Sequence, residues 1–547
     1  MSRHKEVSNL MRRSLFLTFF CIVSVVFTSL YAQRRPAIDE RVLATIKQTT
    51  AFMLDEVGYN GAFVWAYLPD LSRQWGEMEA FRTMGWTQWE GSPEVGEFFL
   101  DLYNATGDEY YYQAAEVVAG ALIWGQHPSG GWNYHFDLAG EASHRHWYNT
   151  IGKSGRRLEE FNHYYGNATY DDDATASPAR FILRMYKQKL DPKYRASVEK
   201  TVKFLLDSQY AIGGWPQRFP LMYSYSPGGI PDYTSYITLN DGVLENNVDL
   251  LIMYYRALGD KSLIDPILRA MNCAIMLQQG TPHPGWGDQY SLDYKPNHAR
   301  RFEPPHINSR MTYHMCESLM NFYKLTGETK FLARIPEAID WLESIKVSDD
   351  FARQYGGRRY APGLDACPMF VEIGTNRAMR STVADGRYVI SYDPPYSLAV
   401  FDIGDLRKRY NELIALPVEA ATADSELLTT EPFKFPDYVA LRWPELTAAS
   451  HIYRNPTGDV IKEEKPTLQE VNELMSQLVD GKYWLVPLRE ISHPYRGPLH
   501  ESPTPNAGAP TNLYDTSPFR PDPPVMGITT DSYMTNVTRL VRFLLDK

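Results

Sequence analysis

The feature that most constrains the fold is a helical pattern that recurs along the chain and ends each time at a Gly-Trp pair. Each copy has an amphipathic segment that stops near a glycine, a short acidic turn, a second amphipathic segment and then the tryptophan. The tryptophans are Trp132, Trp215 and Trp286, and a fourth copy begins at Arg310. Apolar residues recur at spacings of three and four within these segments, which is typical of helices. The recurrence therefore predicts stacked helical hairpins.

Such hairpins bury their apolar faces only against neighbouring hairpins, so the repeat is compatible with an open superhelix or a closed α/α toroid. Long, variable loops follow the Gly-Trp pairs, and loops of this kind build a cleft at one end of a toroid. We therefore expect an all-α fold, an α/α toroid of repeated helical hairpins, over residues 39–410. A mixed, loop-rich and proline-rich C-terminal extension, residues 411–547, is expected to pack on the toroid.

Composition and the N-terminus restrict the partners and the compartment. The formal net charge of -11 argues against nucleic acid as a partner, and an anionic substrate would need local arginines or a cation. The stretch RRSLFLTFFCIVSVVFTSLYAQ reads as a signal peptide, residues 1–32, cleaved after Ala32. A retained single-helix anchor is the alternative. We expect a monomer, periplasmic or secreted, with no membrane contact after cleavage and no disulfide framework.

Acidic residues stand at the start of two successive hairpins. The stretch YDDDAT contains Asp171, Asp172 and Asp173, and Asp241 has the equivalent place in YITLND. Aspartate before a helix is a preferred N-cap, which explains one carboxylate but not three. If equivalent helix starts converge at one end of a toroid, Asp171–Asp173 and Asp241 could share a hard cation such as calcium.

Basic and aromatic residues lie in the loops between the hairpins. Arginine is the natural partner of a sugar carboxylate, although ordinary ion pairing is the simpler explanation for any one of them. A His- and Tyr-rich insert, residues 134–165, could supply an acid and a base or could be a surface loop. The arginines are Arg300, Arg301, Arg377, Arg380 and Arg387, and the histidines of the insert are His135, His144, His146 and His163.

Five motifs in order carry a resemblance to a known family. They are YDDDAT, GGWPQRFP, YITLND, ARRFEPP and EIGTNR, between residues 120 and 410. On these motifs the sequence resembles polysaccharide lyase family 10, the pectic acid lyases. The resemblance implies an α/α toroid and β-elimination on an anionic polysaccharide made of uronic acids, with polygalacturonate as the first expectation.

The resemblance also implies residue roles. Asp171 and Asp241 would hold a calcium ion, and Arg300 would be the catalytic base that removes the proton at C5. A cation on the neighbouring carboxylate stabilises the charge that develops there. An arginine base is demanding, because a free guanidinium is effectively always protonated. The residues expected to bind substrate are Arg301, Arg377, Arg387 and Trp215.

Departures from the family pattern leave the substrate open. Asn133–His135 replaces the usual Pro-Lys-Asn after the first Gly-Gly-Trp, and Tyr236 replaces a histidine. The alternatives are a lyase for another uronate polymer, such as ulvan or a glucuronan, that uses His/Tyr chemistry, and an inactive glycan-binding relative. A glycoside hydrolase with Asp171 and Asp241 as acid and base is also compatible with the pattern. One of Asp172 and Asp173 is expected to cap the helix.

Overall fold

The computed structural model describes residues 38–154, 159–222, 232–300, 302–357, 360–384, 387–435, 465–488 and 525–545. The signal peptide and Arg301 lie outside these ranges. Within them no helix is both long and apolar enough to cross a membrane. The described part of the chain is built mainly from helices joined by short strands, which confirms the all-α class.

The main helices are labelled α1 to α12 in chain order, and shorter helices keep their residue numbers. They are α1 (38–52), α2 (Ser92–Thr106), α3 (Glu109–Gly125), α4 (Ala176–Lys189), α5 (Arg195–Ser208), α6 (Val243–Leu258), α7 (Ile264–Leu277), α8 (Ser309–Thr326), α9 (Ile335–Ser344), α10 (Ile403–Ala415), α11 (Leu468–Ser476) and α12 (Thr530–Leu545). The hairpins are α2–α3, α4–α5, α6–α7 and α8–α9. The first helix of one hairpin packs against the first helix of the next, as α2 does on α4 and α4 on α6.

The turns inside the hairpins explain why the helices stop where they do. Gly107 ends α2 and Gly259 ends α6, each with a φ of 71°. That left-handed conformation favours glycine, because it has no side chain to clash. Asp108 and Asp260 follow, and each side chain accepts a hydrogen bond from the backbone two residues further on. The acidic turn therefore caps the second helical segment of these two hairpins.

The recurring tryptophans are core residues. Trp132, Trp215 and Trp286 are all 0% exposed, and each indole N–H donates to a backbone carbonyl of the preceding helix, at 2.8, 2.9 and 2.8 Å. The prediction that Trp215 binds substrate is therefore wrong, since its ring has no open face. The Gly-Trp pair instead fastens the end of each hairpin to its second helix.

The C-terminal region contributes helices to the same assembly. Trp484 donates to the carbonyl of Leu474 at 2.9 Å, which repeats the connection of the other tryptophans and was not visible as a sequence repeat. Helix α12 packs against both α11 and α2. The hydroxyl groups of Tyr533 in α12 and Thr50 in α1 are 2.7 Å apart. The first and last described helices are thus neighbours.

Short antiparallel strands connect the hairpins at the end where the first helices begin. Ala168–Thr169 pairs with Arg218–Phe219, and Ile237–Thr238 pairs with Gln289–Tyr290. In each pair, one strand precedes the first helix of a hairpin and the other follows the Gly-Trp pair that ends the same hairpin. This pairing holds the turns before α4 and α6 side by side. The other strands are Ala66–Tyr67, Gln74–Trp75, Glu79–Ala80, Met84–Trp86, His135–Asp137, Ile307–Asn308, Asp365–Pro368, Phe370–Val371, Ala378–Ala384, Arg387–Ser391, Leu398–Phe401, Val486–Pro487 and Met526–Thr529.

Candidate metal and catalytic site

Two equivalent helical turns form the floor of the candidate site. Asp171–Asp173 lies just before α4, and Asn240–Gly242 lies just before α6. Asp172 and Asp241 have φ values of 48° and 54°, in the left-handed region that few residues other than glycine adopt. The two turns pack against each other. The structure therefore brings together the acidic residues that the sequence placed at equivalent positions.

The carboxylates of Asp171, Asp172 and Asp241 form one cluster. One oxygen from each lies within 4.8 Å of the others. Asp171 is 1% exposed, and its Oδ2 atom accepts a hydrogen bond from the Tyr134 hydroxyl. Its Oδ1 atom is buried without a hydrogen-bond donor among the described residues. A buried carboxylate oxygen of this kind is unfavourable unless a cation or a donor compensates it.

The other two carboxylates of the cluster accept hydrogen bonds from amide side chains, and their pKa values are strongly raised. Gln88 donates to Asp172 Oδ2 at 2.8 Å, and Asn240 donates to Asp241 Oδ2 at 2.6 Å. Burial and the neighbouring Asp171 charge raise the pKa of Asp172 well above its ordinary value. Burial and the charges of Asp171 and Asp172 raise the pKa of Asp241 in the same way. The cluster is thus short of positive charge, and hard oxygen ligands suit calcium.

Asp173 has a different role from its two neighbours. It accepts a hydrogen bond from Asn246 on α6, away from the carboxylate cluster. Helix α4 begins after Thr175 without any side-chain capping bond. The prediction that Asp172 or Asp173 caps this helix is therefore wrong. One of the two joins the cluster, and the other ties α4 to the neighbouring hairpin.

Arg300 lies beside the cluster and is held by carboxylates. Its Nη2 atom is 3.9 Å from Asp171 Oδ2, and its Nε and Nη2 atoms donate to Glu160 at 3.3 and 3.0 Å. Nη1 is 3.6 Å from Glu303. Burial alone would lower the pKa of Arg300, but the charges of Glu160 and Glu303 outweigh burial and raise the pKa well above its ordinary value.

A second arginine in this region was missed by the sequence reasoning. Arg218 is 1% exposed and donates to the side-chain oxygens of Asn133 and Asn167, each at 3.2 Å. Its guanidinium lies over the rings of Tyr134 and Tyr165, at 5.0 and 4.5 Å from their centroids. Arg218 thus places a positive charge beside Asn133. The signal in the sequence was the arginine directly after GGWPQ.

The remaining predicted arginines are not brought to the cluster by any described contact. Arg377 is exposed, and its guanidinium lies over the ring of Tyr392 at 3.7 Å. Arg387 begins strand Arg387–Ser391, which pairs with Ala378–Ala384. Arg301 lies outside the described residues. The substrate-binding roles of these three arginines stay predictions.

Two histidines of the insert, His135 and His144, pack against each other. His135 is 1% exposed, and its Nδ1 atom is 2.7 Å from His144 Nε2. Burial lowers the pKa of His144 to about 4, so this ring is neutral at physiological pH. His135 also packs against the rings of Trp86 and Trp147. This arrangement favours a packing role for the pair over proton transfer.

The comparison with protein families agrees with the motifs. Residues 150–382 match the family model described as pectic acid lyase, rather less than half of the chain. The family prediction is thereby confirmed, and the protein is a polysaccharide lyase. Within that class, residues 150–382 are similar to the pectic acid lyases. No curated protein sequence matches the chain.

Solved structures share the helical architecture at low identity. A mutant of the family 10 polysaccharide lyase from Cellvibrio cellulosa, in complex with trigalacturonic acid, is 18% identical, with 59% of this chain and 98% of that chain covered and a TM-score of 0.39. A glycoside hydrolase family 76 mannosidase from Bacteroides thetaiotaomicron is 8% identical, with 93% and 98% covered and a TM-score of 0.37. At these TM-scores the similarity is distant, and the site is interpreted from its own residues.

Proposed function

We propose that this protein is a calcium-dependent lyase that cleaves a uronic-acid polymer by β-elimination. The observation that carries the proposal is the partly buried cluster of Asp171, Asp172 and Asp241 with the Arg300 guanidinium beside it. The matching family is described by its action on pectic acid, so polygalacturonate is the reference substrate. Export to the periplasm or the medium, and a monomeric state, belong to the same proposal.

The three clustered aspartates would hold the calcium ion. Their oxygens are the ligand type that calcium prefers, and Asp171 Oδ1 has no hydrogen bond to give up. When bound, the ion supplies positive charge at the substrate carboxylate, where negative charge develops as the C5 proton leaves. Asp172 would be a third ligand, beside the two that the resemblance implied.

Arg300 would contribute a fixed positive charge next to the reacting sugar. Its ion pairs with Glu160 and Glu303 favour the charged guanidinium. In this arrangement Arg300 is suited to stabilising the developing enolate-like charge by hydrogen bonding. A role as base requires the guanidinium to lose its proton while two carboxylates stabilise the charged form.

The proposal is tested by following the ultraviolet absorbance of unsaturated products on a panel of uronate polymers, with calcium and with a chelator. Absorbance should rise only with calcium, and Asp241→Asn should shift the calcium titration to higher concentrations. Asp207→Asn is the matched control, because Asp207 is paired with Lys203 on the exposed face of α5. New reducing ends without absorbance would indicate hydrolysis, and full activity in chelator would contradict the metal assignment.

A further inference from the structure

Each carboxylate of the candidate metal cluster accepts a hydrogen bond on its Oδ2 atom. The donors are Tyr134 for Asp171, Gln88 for Asp172 and Asn240 for Asp241. Groups that hold the ligands of a metal site in place also tune its affinity for the ion. Two of these donors, Gln88 and Tyr134, precede residue 150, where the match to the pectic acid lyase family begins. Support for the cluster therefore comes partly from outside the matched region.

The Gln88 side chain is buried in one fixed orientation. It is 4% exposed, and its Oε1 atom accepts a hydrogen bond from the indole N–H of Trp86. Its amino group donates to Asp172 Oδ2 at 2.8 Å and to Glu77 Oε2 at 3.2 Å. Turning the amide around would break all of these bonds, because the oxygen cannot donate and the amino group cannot accept. Gln88 therefore presents its amino group to Asp172.

The backbone around Gln88 is joined to the segment that carries Tyr134. Strand Met84–Trp86 pairs with strand His135–Asp137. The backbone N–H of Thr87 continues this pairing by donating to the Tyr134 carbonyl at 2.8 Å. The donors to Asp171 and Asp172 thus stand on two paired segments, which fixes their positions relative to each other.

Gln88 also lies between two groups of like charge. Asp172 and Glu77 accept hydrogen bonds from the same amino group, so a neutral donor stabilises both carboxylates. Two negative charges at this separation repel each other. Loss of the donor would therefore free the Asp172 carboxylate to rotate away from Glu77.

We propose that Gln88 is a positioning residue that holds Asp172 in the direction needed to bind the cation. It acts through Asp172 and does not itself contact the ion. The inference rests on the calcium-dependent lyase function proposed above, and it extends the metal site to the segment that precedes the family match.

Calorimetric titration of the whole protein with calcium tests the inference without requiring turnover. Gln88→Met keeps the length of the side chain and removes the donor, and it should weaken calcium binding roughly tenfold. In an Asp172→Asn background the same change should have an effect of no more than about twofold, because Gln88 acts through Asp172. An equal loss in both backgrounds would indicate a general structural effect and would overturn the inference.

Gln126→Met is the matched control, because the Gln126 amide donates to the carbonyls of Gly130 and Ser197 instead of to the cluster. This control should bind calcium as the wild type does. Thermal unfolding without calcium verifies that each variant is folded. If Gln88→Met is unfolded, Gln88→Asn replaces it, since the shorter amide no longer reaches Asp172, and it should weaken calcium binding in the same way.

Two results separate failure of this inference from failure of the proposed function. Wild-type affinity in a folded Gln88→Met variant would overturn the role of Gln88 alone and leave the metal assignment intact. A wild-type protein that binds no calcium would contradict the metal assignment, and the role of Gln88 with it.

Discussion

Replacing Arg184 by methionine tests how the first helices of the hairpins are held together. Arg184 in α4 donates to Glu97 at 2.6 Å and to Asp101 at 2.7 Å, both in α2, and the three side chains are 2%, 3% and 0% exposed. Removing the arginine takes a buried counter-ion from both carboxylates, although Arg180 still pairs with Glu97 at 3.1 Å. Loss of one partner from a buried ion pair costs about 3–5 kcal/mol, so we expect a decrease of this size in the free energy of unfolding.

The assay is urea unfolding followed by both circular dichroism and tryptophan fluorescence, so that a single transition can be verified. Arg195→Met is the control, because Arg195 and Glu199 form an exposed pair on α5 worth about 0.3–0.5 kcal/mol. Adding Glu97→Gln and Asp101→Asn to the Arg184 variant should recover part of the loss, since the buried charges are then absent. A loss no larger than that of the control would refute this reasoning.

Three further predictions concern the site and its supports. Asp172→Asn should weaken calcium binding roughly tenfold in calorimetry, since fewer ligand charges lower affinity, and unchanged affinity would exclude Asp172 as a ligand. Trp215→Phe should lower the free energy of unfolding by about 1–3 kcal/mol through the bond lost to Leu205, while KM stays at the wild-type value; a large rise in KM would restore a substrate-binding role. Burial raises the pKa of Glu94 from 4.5 to about 8, so the folded state keeps its proton longer than the unfolded state. The contribution of Glu94 to the free energy of unfolding is fully present below pH 4.5 and should fall by about 1.4 kcal/mol per pH unit up to about pH 8. A Glu94→Gln variant whose stability falls with the same slope would contradict this.

Local patterns in the sequence were sufficient to predict the helices and part of the candidate site. The glycine-aspartate turns at Gly107 and Gly259 could be predicted as helix ends, because they depend only on local backbone geometry. The equivalence of the YDDDAT turn and the turn at Asp241 followed from the repeat, and the structure places the carboxylates of Asp171, Asp172 and Asp241 in one cluster. The sequence also showed the recurring Gly-Trp pairs, but it did not show what their tryptophans do. A tryptophan can pack or stack, and only the burial of Trp215 decides between the two.

Contacts between distant segments were the part that sequence reasoning could not supply. Glu160 meets Arg300 across 140 residues, and nothing in the repeat marks a carboxylate within an insert that has no equivalent in the other hairpins. Arg218 reaches Asn133 in the same way, from a neighbouring strand. Asp172 and Asp173 are adjacent in sequence yet face different partners, because the left-handed turn at Asp172 directs their side chains apart.

The central claim is that the clustered aspartates support β-elimination of a uronic-acid polymer. Mass spectrometry of the products is its most direct test, because an eliminated chain end is lighter by one water molecule than a hydrolysed end. With polygalacturonate and calcium, the purified protein should release unsaturated oligosaccharides, and Asp171→Asn should release none. Products that carry the added water, or unsaturated products that persist in Asp171→Asn with chelator present, would contradict the account.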